Sequence, residues 1–127
     1  ASLARFFESS GDTAQAKALY QQALGEKLPD TLYWEALNRY SFLLKRSGDW
    51  AGAIALWEKA AQAGHQYAFE ELAKYYEHHT KDLLTAHEWT SRAITVLEGQ
   101  YLSAYEYQQW RRRLAHRLDR LNRKLAR

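Results

Sequence analysis

Five cations stand in one row near the C-terminus: Arg113, Arg117, Arg120, Lys124 and Arg127 step by four, three, four and three residues. On a helix that spacing keeps them along one side. A row of this kind can neutralise successive phosphates of a nucleic-acid backbone. One position later runs an apolar row, Tyr107, Trp110, Leu114, Leu118, Leu121 and Leu125. Such a seam has two other uses, covering the open end of a helical array or pairing with another helix as a coiled coil. The cationic row also sets the charge balance. Residues 111–127 hold eight Lys/Arg against Asp119 alone, a net of +7, whereas residues 1–110 hold ten against fourteen Asp/Glu, a net of −4. The pI near 9.2 therefore describes a basic tail on an acidic body.

The remaining reactive side chains do not assemble into a reaction centre by their spacing. Ligands on a helix share a metal ion from positions three or four apart. His78 and His79 are adjacent and diverge, and the partner that Glu77 would need at position 81 is Lys81. Polar residues at a helix end are the expected reading there. His65 is expected in a turn and His116 on the basic surface. No serine stands in a strand-to-helix elbow, no glycine cluster could cradle a phosphate, and the pair Glu70-Glu71 reads as solvated helix. With no cysteine, thiolate metal sites, disulfides and cysteine nucleophiles are excluded. The chain is expected to be no enzyme by itself and to need no cofactor and no metal.

At 127 residues the chain is about one domain. It is 46% hydrophobic and 14% aromatic, which excludes a disordered polymer. No apolar run is long enough for a membrane span, and no charged-then-apolar leader opens the chain, so a cytoplasmic location is expected. Met is absent even at position 1. The chain is accordingly expected to be processed or to be a piece of a larger protein.

Glycine and aspartate punctuate the chain. Gly11, Gly48, Gly64 and Gly99 each follow an apolar-periodic run, where a left-handed C-terminal cap belongs. Asp12, Asp30, Asp49 and Asp82 open the next runs as N-caps. Gly25 and the single Pro29 break the chain between them. These signals predict helices near 2–9, 13–25, 31–46, 50–63, 67–79, 83–98 and 101–126, an all-α chain.

The helices repeat. Ala16, Tyr20 and Ala23 stand at steps of four and three, Ala53, Trp57 and Ala60 copy them 37 residues later, and Ala86 and Ala93 flank Trp89 and Thr90 in the same way. The preceding helices match as Leu3-Ala4 with Phe7, Tyr40-Ser41 with Leu44, and Leu72-Ala73 with Tyr76. The Gly11-Asp12 and Gly48-Asp49 turns decay to Lys81-Asp82 with about one residue inserted. Small residues let helix backbones approach, and the large residue between them fills the hole. The aromatics on these stripes, Tyr20, Tyr40, Trp57, Tyr76, Trp89 and Trp110, are expected in the core.

These residues resemble the tetratricopeptide repeat, and the stretch Ala53 to His65 followed by Ala68 and Leu72-Ala73-Lys74-Tyr75-Tyr76 is similar to its Sel1-like variant. The resemblance covers 1–98. It implies a right-handed α-α superhelix of three hairpins (1–25, 31–63, 67–98), with 99–127 as a basic amphipathic capping helix. It further implies a non-catalytic protein-binding scaffold whose first helices line a concave groove for a protein or peptide segment. Projected onto this chain, the groove holds Arg5, Asn38, Phe42, Lys45, Arg46, Glu70, Lys74 and His78. The Lys/Asn set with which some members grip a peptide carboxylate is incomplete, since Arg5 and Arg39 fall at two of its positions while Tyr67 and Glu71 occupy two others; that ligand is not expected.

A second resemblance competes with the first. Repeats ending in the Arg/Leu-rich run His116 to Leu125 look like the C-terminal part of some bacterial ribonuclease-H-like exonuclease proteins. That resemblance implies a nucleic-acid-binding appendage acting through Arg113, Arg117, Arg120, Lys124 and Arg127. The catalytic acidic strands of that family are absent from this sequence, so no catalytic residue carries over.

Overall fold

The computed structural model describes residues 2–127. Among them the chain is helical without strands: α1 Ser2–Ser9, α2 Thr13–Leu24, α3 Asp30–Arg46, α4 Trp50–Gln62, α5 Gln66–Lys74, α6 Leu83–Glu98 and α7 Ala104–Leu125. A π-helical turn, Tyr75–His79, continues α5. The chain divides into two compact units, 1–60 and 61–127.

The turns follow the sequence signals closely. Gly11 and Gly48 take φ of 85° and 84°, where a β-carbon would be strained, and each hands over to an aspartate. Asp12, Asp49 and Asp82 then accept the amides of Gln15, Gly52 and Thr85 at 3.2, 2.9 and 3.1 Å. Lys81, with φ of 61°, is the one non-glycine in this conformation among the described residues. It does the work of the glycine in the third turn.

Four expectations need correction. Gly99 has a φ of −100° and is no left-handed cap. Asp30 makes no cap bond; Pro29 is the N-cap and Asp30 the first helical residue, where its charge suits the helix dipole. The last helix starts at Ala104 rather than 101, because the Ser103 hydroxyl accepts the Glu106 amide at 3.1 Å and so fixes the first turn there. The helix near 67–79 is not uniform. Its last turn is π, with the Thr80 amide donating to the Tyr75 carbonyl five residues back at 3.2 Å. From Ala4 to Gly11 and from Ser41 to Gly48 is seven residues, but from Ala73 to Lys81 is eight; a π turn absorbs one such extra residue without breaking the helix.

In 1–60, α1 packs on α2 and α2 on α3. Ala4, Ala16, Tyr20, Ala36 and Leu43 form the buried cluster, with Phe7, Leu19, Leu24 and Tyr40 around it. Tyr20 and Tyr40 stack at 5.9 Å. Trp57 of α4 has no exposed surface and meets the Phe42 ring of α3 edge-on at 6.2 Å.

In 61–127, α5 and the π turn pack on α6, and α6 packs on α7. Phe69, Leu72, Ala73, Ala86, Thr90, Ala93, Leu97, Leu114 and Leu121 are buried. Here Thr90, not Trp89, fills the central position between the two alanines. Its hydroxyl is satisfied by the Ala86 carbonyl at 2.9 Å. Trp89 is half-buried, edge-on to Phe69 with Arg92 over its face. Tyr40, Tyr76 and Trp110 are likewise half-buried rather than core. Among the described residues no helix is long and apolar enough to cross a membrane.

Candidate functional site

The basic row of α7 does not stand clear of the fold. Arg117 Nη1 donates to Glu77 Oε1 at 2.6 Å, Arg120 donates through Nη2 to Oε1 and through Nε to Oε2, both at 2.7 Å, and Lys124 Nζ donates to Oε2 at 2.8 Å. The Glu77 side chain has no exposed surface. Burial pushes its carboxyl up, but the hydrogen bonds from Arg120 and Lys124 and the neighbouring charges outweigh this and bring its pKa down to about 2. In return Glu77 raises the pKa of Arg120. His78, the next residue, is 3.5 Å from the same carboxylate; partial desolvation, with the cations Lys124, Arg117 and Arg120, holds it below the usual histidine range against the pull of Glu77. Arg113 bonds Glu70, and Arg127 at the chain end is exposed.

The apolar row of α7 is used in part. Leu114 and Leu121 are buried, Tyr107, Trp110 and Leu118 are half-buried, and Leu125 is exposed. The seam covers α6 at its middle and leaves its end open to solvent.

The groove residues fall into two groups. In 1–60, Arg5 lies 4.0 Å from Glu35 and Arg46 donates to Glu8. Both line a cavity of about 290 Å3 with Glu8, Ser9 and Arg39. Phe42 is half-buried with the Lys45 ammonium 5.7 Å from its ring centre. The side-chain oxygen of Asn38 is buried without a hydrogen-bond partner. In 61–127, Lys74 is 2.7 Å from Glu71, and Glu70 and Lys74 line a cavity of about 310 Å3 with Arg113, His116, Arg117 and Arg120. His78 is exposed beside Glu77.

Glu77 and Glu8 were the residues that spacing rules passed over. Glu77 reads as a solvated acid next to two histidines, and its partners lie 40 to 47 residues away. One signal could have found it: Glu8 and Glu77 each stand four residues after the small residue of a first helix, Ala4 and Ala73. Glu8 accepts from the Tyr20 hydroxyl at 2.7 Å and from Arg46. Burial raises its pKa, these donors lower it further than burial raises it, and Tyr20 is pushed up to about 12 by burial and by Glu8.

Among the described residues no three His, Asp or Glu side chains gather as metal ligands. Comparison with protein-family models, curated proteins and solved structures finds no match for this chain.

Proposed function

We propose that this chain is a non-catalytic helical-repeat scaffold of the tetratricopeptide type that binds a protein segment along its first helices. The observation that carries the reading is the recurrence of one unit at three places. Ala16-Tyr20-Ala23, Ala53-Trp57-Ala60 and Ala86-Thr90-Ala93 are all buried. Three left-handed turn residues, Gly11, Gly48 and Lys81, each precede a capping aspartate. A third support is ionic. Arg5 and Glu8 of α1 reach Glu35 and Arg46 of α3, and Glu70 and Glu77 of α5 and its π turn reach Arg113, Arg117, Arg120 and Lys124 of α7. In both units a first helix is tied to the helix after next, the relation that stacked hairpins produce.

The rival reading, a phosphate-binding row on α7, asks for five cations spread toward solvent along one side, but Arg117, Arg120 and Lys124 converge on Glu77 and Arg113 turns to Glu70. A cap over the preceding hairpin is the role this geometry favours for the helix. The groove is tested by Phe42→Ala combined with Lys45→Ala, followed by affinity capture from lysate. Partner capture should be lost while the helical circular dichroism stays intact. Unchanged capture by the variant would remove the groove from the reading.

A further inference from the structure

The cavity of about 310 Å3 in 61–127 is lined by Lys74, Arg113, Arg117, Arg120, His116 and Glu70. Four cations line it with Glu70, and Glu71 and Glu77 partner Lys74, Arg117 and Arg120 from behind. Three of the cations are arginines, whose planar forks suit oxyanions with several oxygens. A guanidinium has five N–H donors. Glu77 occupies one of Arg117 and two of Arg120, so both keep donors for the cavity they line. The buried carboxylates behind them, Glu77 and Glu71, hold Arg117, Arg120 and Lys74 in place before any ligand arrives. Side chains already fixed lose little further freedom on binding, which favours affinity.

We propose that this cavity binds one phosphoryl group, the dianion of a phosphate monoester. A carboxylate brings one charge and two oxygens; a phosphoryl dianion brings two charges and three terminal oxygens, and so answers more of the four cations. A space of about 310 Å3 has room for a single phosphoryl group. Glu70 is the built-in competitor, because it bonds Arg113 at the rim and repels an incoming anion. The site depends on neither the groove reading nor the repeat relationship.

The test is titration of the full chain with inorganic phosphate, followed by NMR, alongside a phosphoserine peptide, its unphosphorylated twin and a labelled oligonucleotide. Phosphate should shift the side-chain resonances of Arg113, Arg117 and Arg120. Arg113→Gln combined with Lys74→Gln should weaken binding by about tenfold or more, the loss expected for charge-assisted hydrogen bonds. Glu70→Gln should tighten it several-fold, a gain that misfolding cannot imitate. Preference for the phosphopeptide over its twin places the group on a protein; equal or tighter binding of free phosphate places it on a small molecule. Equal phosphate affinity in the wild-type protein and all variants would overturn the proposal. So would an oligonucleotide that binds the double variant undiminished while phosphate binds neither protein.

Discussion

Glu8 and Glu77 occupy matching positions in the two units, yet they are built differently. Glu8 keeps 18% of its side chain exposed and answers to one arginine and one tyrosine. Glu77 is sealed and answers to two arginines and a lysine. The difference is in the supply of cations: α3 offers Arg46 to α1, whereas α7 offers a whole row. It teaches that the basic tail is in large part an internal counter-charge. A buried ion cluster adds little net stability over an apolar one of the same shape, because desolvation offsets the attraction. Removing one sign from it is another matter.

The largest expected effect follows from that. Glu77→Ala leaves three cations around an empty buried site and should lower stability by about 3–5 kcal/mol in urea unfolding. Charge reversal at Arg117, Arg120 and Lys124 should be as damaging; a phosphate row on a solvated shoulder would lose less than about 1 kcal/mol. Trp57→Ala is the apolar counterpart in 1–60 and should lose about 3–5 kcal/mol by emptying the space it fills. A loss below about 1 kcal/mol would place Trp57 outside that core.

The acid limb of the stability profile comes next. The folded pKa of Glu77, about 2, lies below its ordinary 4.5. Its contribution is therefore complete above about 4.5 and fades as pH falls toward 2. Linkage puts this contribution at about 3 kcal/mol. The Glu77→Gln variant should flatten the melting temperature across that window, and an unchanged slope would show that other carboxylates carry it. Glu8 shifts in the same direction, but Glu8→Ala, at a half-open site, should lose only about 1–2 kcal/mol. Equal losses at Glu8 and Glu77 would erase the contrast between the units. The smallest effect belongs to Arg127→Ala at the exposed end of the row, within about 0.5 kcal/mol by thermal melting.

What was legible in the residues was short-range. A glycine whose conformation needs φ near 85° and an aspartate that caps three residues on are decided within one turn of chain, and both were readable at Gly11-Asp12 and Gly48-Asp49. Gly99 and Asp30 carried the same letters without the same roles, because a cap depends on the backbone that receives it. The Ala-large-Ala spacing identified the buried faces. It could not choose between Trp89 and Thr90, adjacent residues about 100° apart on the helix, since the choice rests on which face α5 and α7 leave for α6.

The sequence alone thus determined the helices, their turns and their small-residue faces, all set by interactions within a few residues. The tertiary structure decided the fate of the charges. Whether Arg117 meets water, a phosphate or Glu77 depends on an acid 40 residues earlier, brought beneath it by the packing of α5, α6 and α7. No local rule connects those positions, because burial and charge pairing are properties of the folded surface and not of the chain.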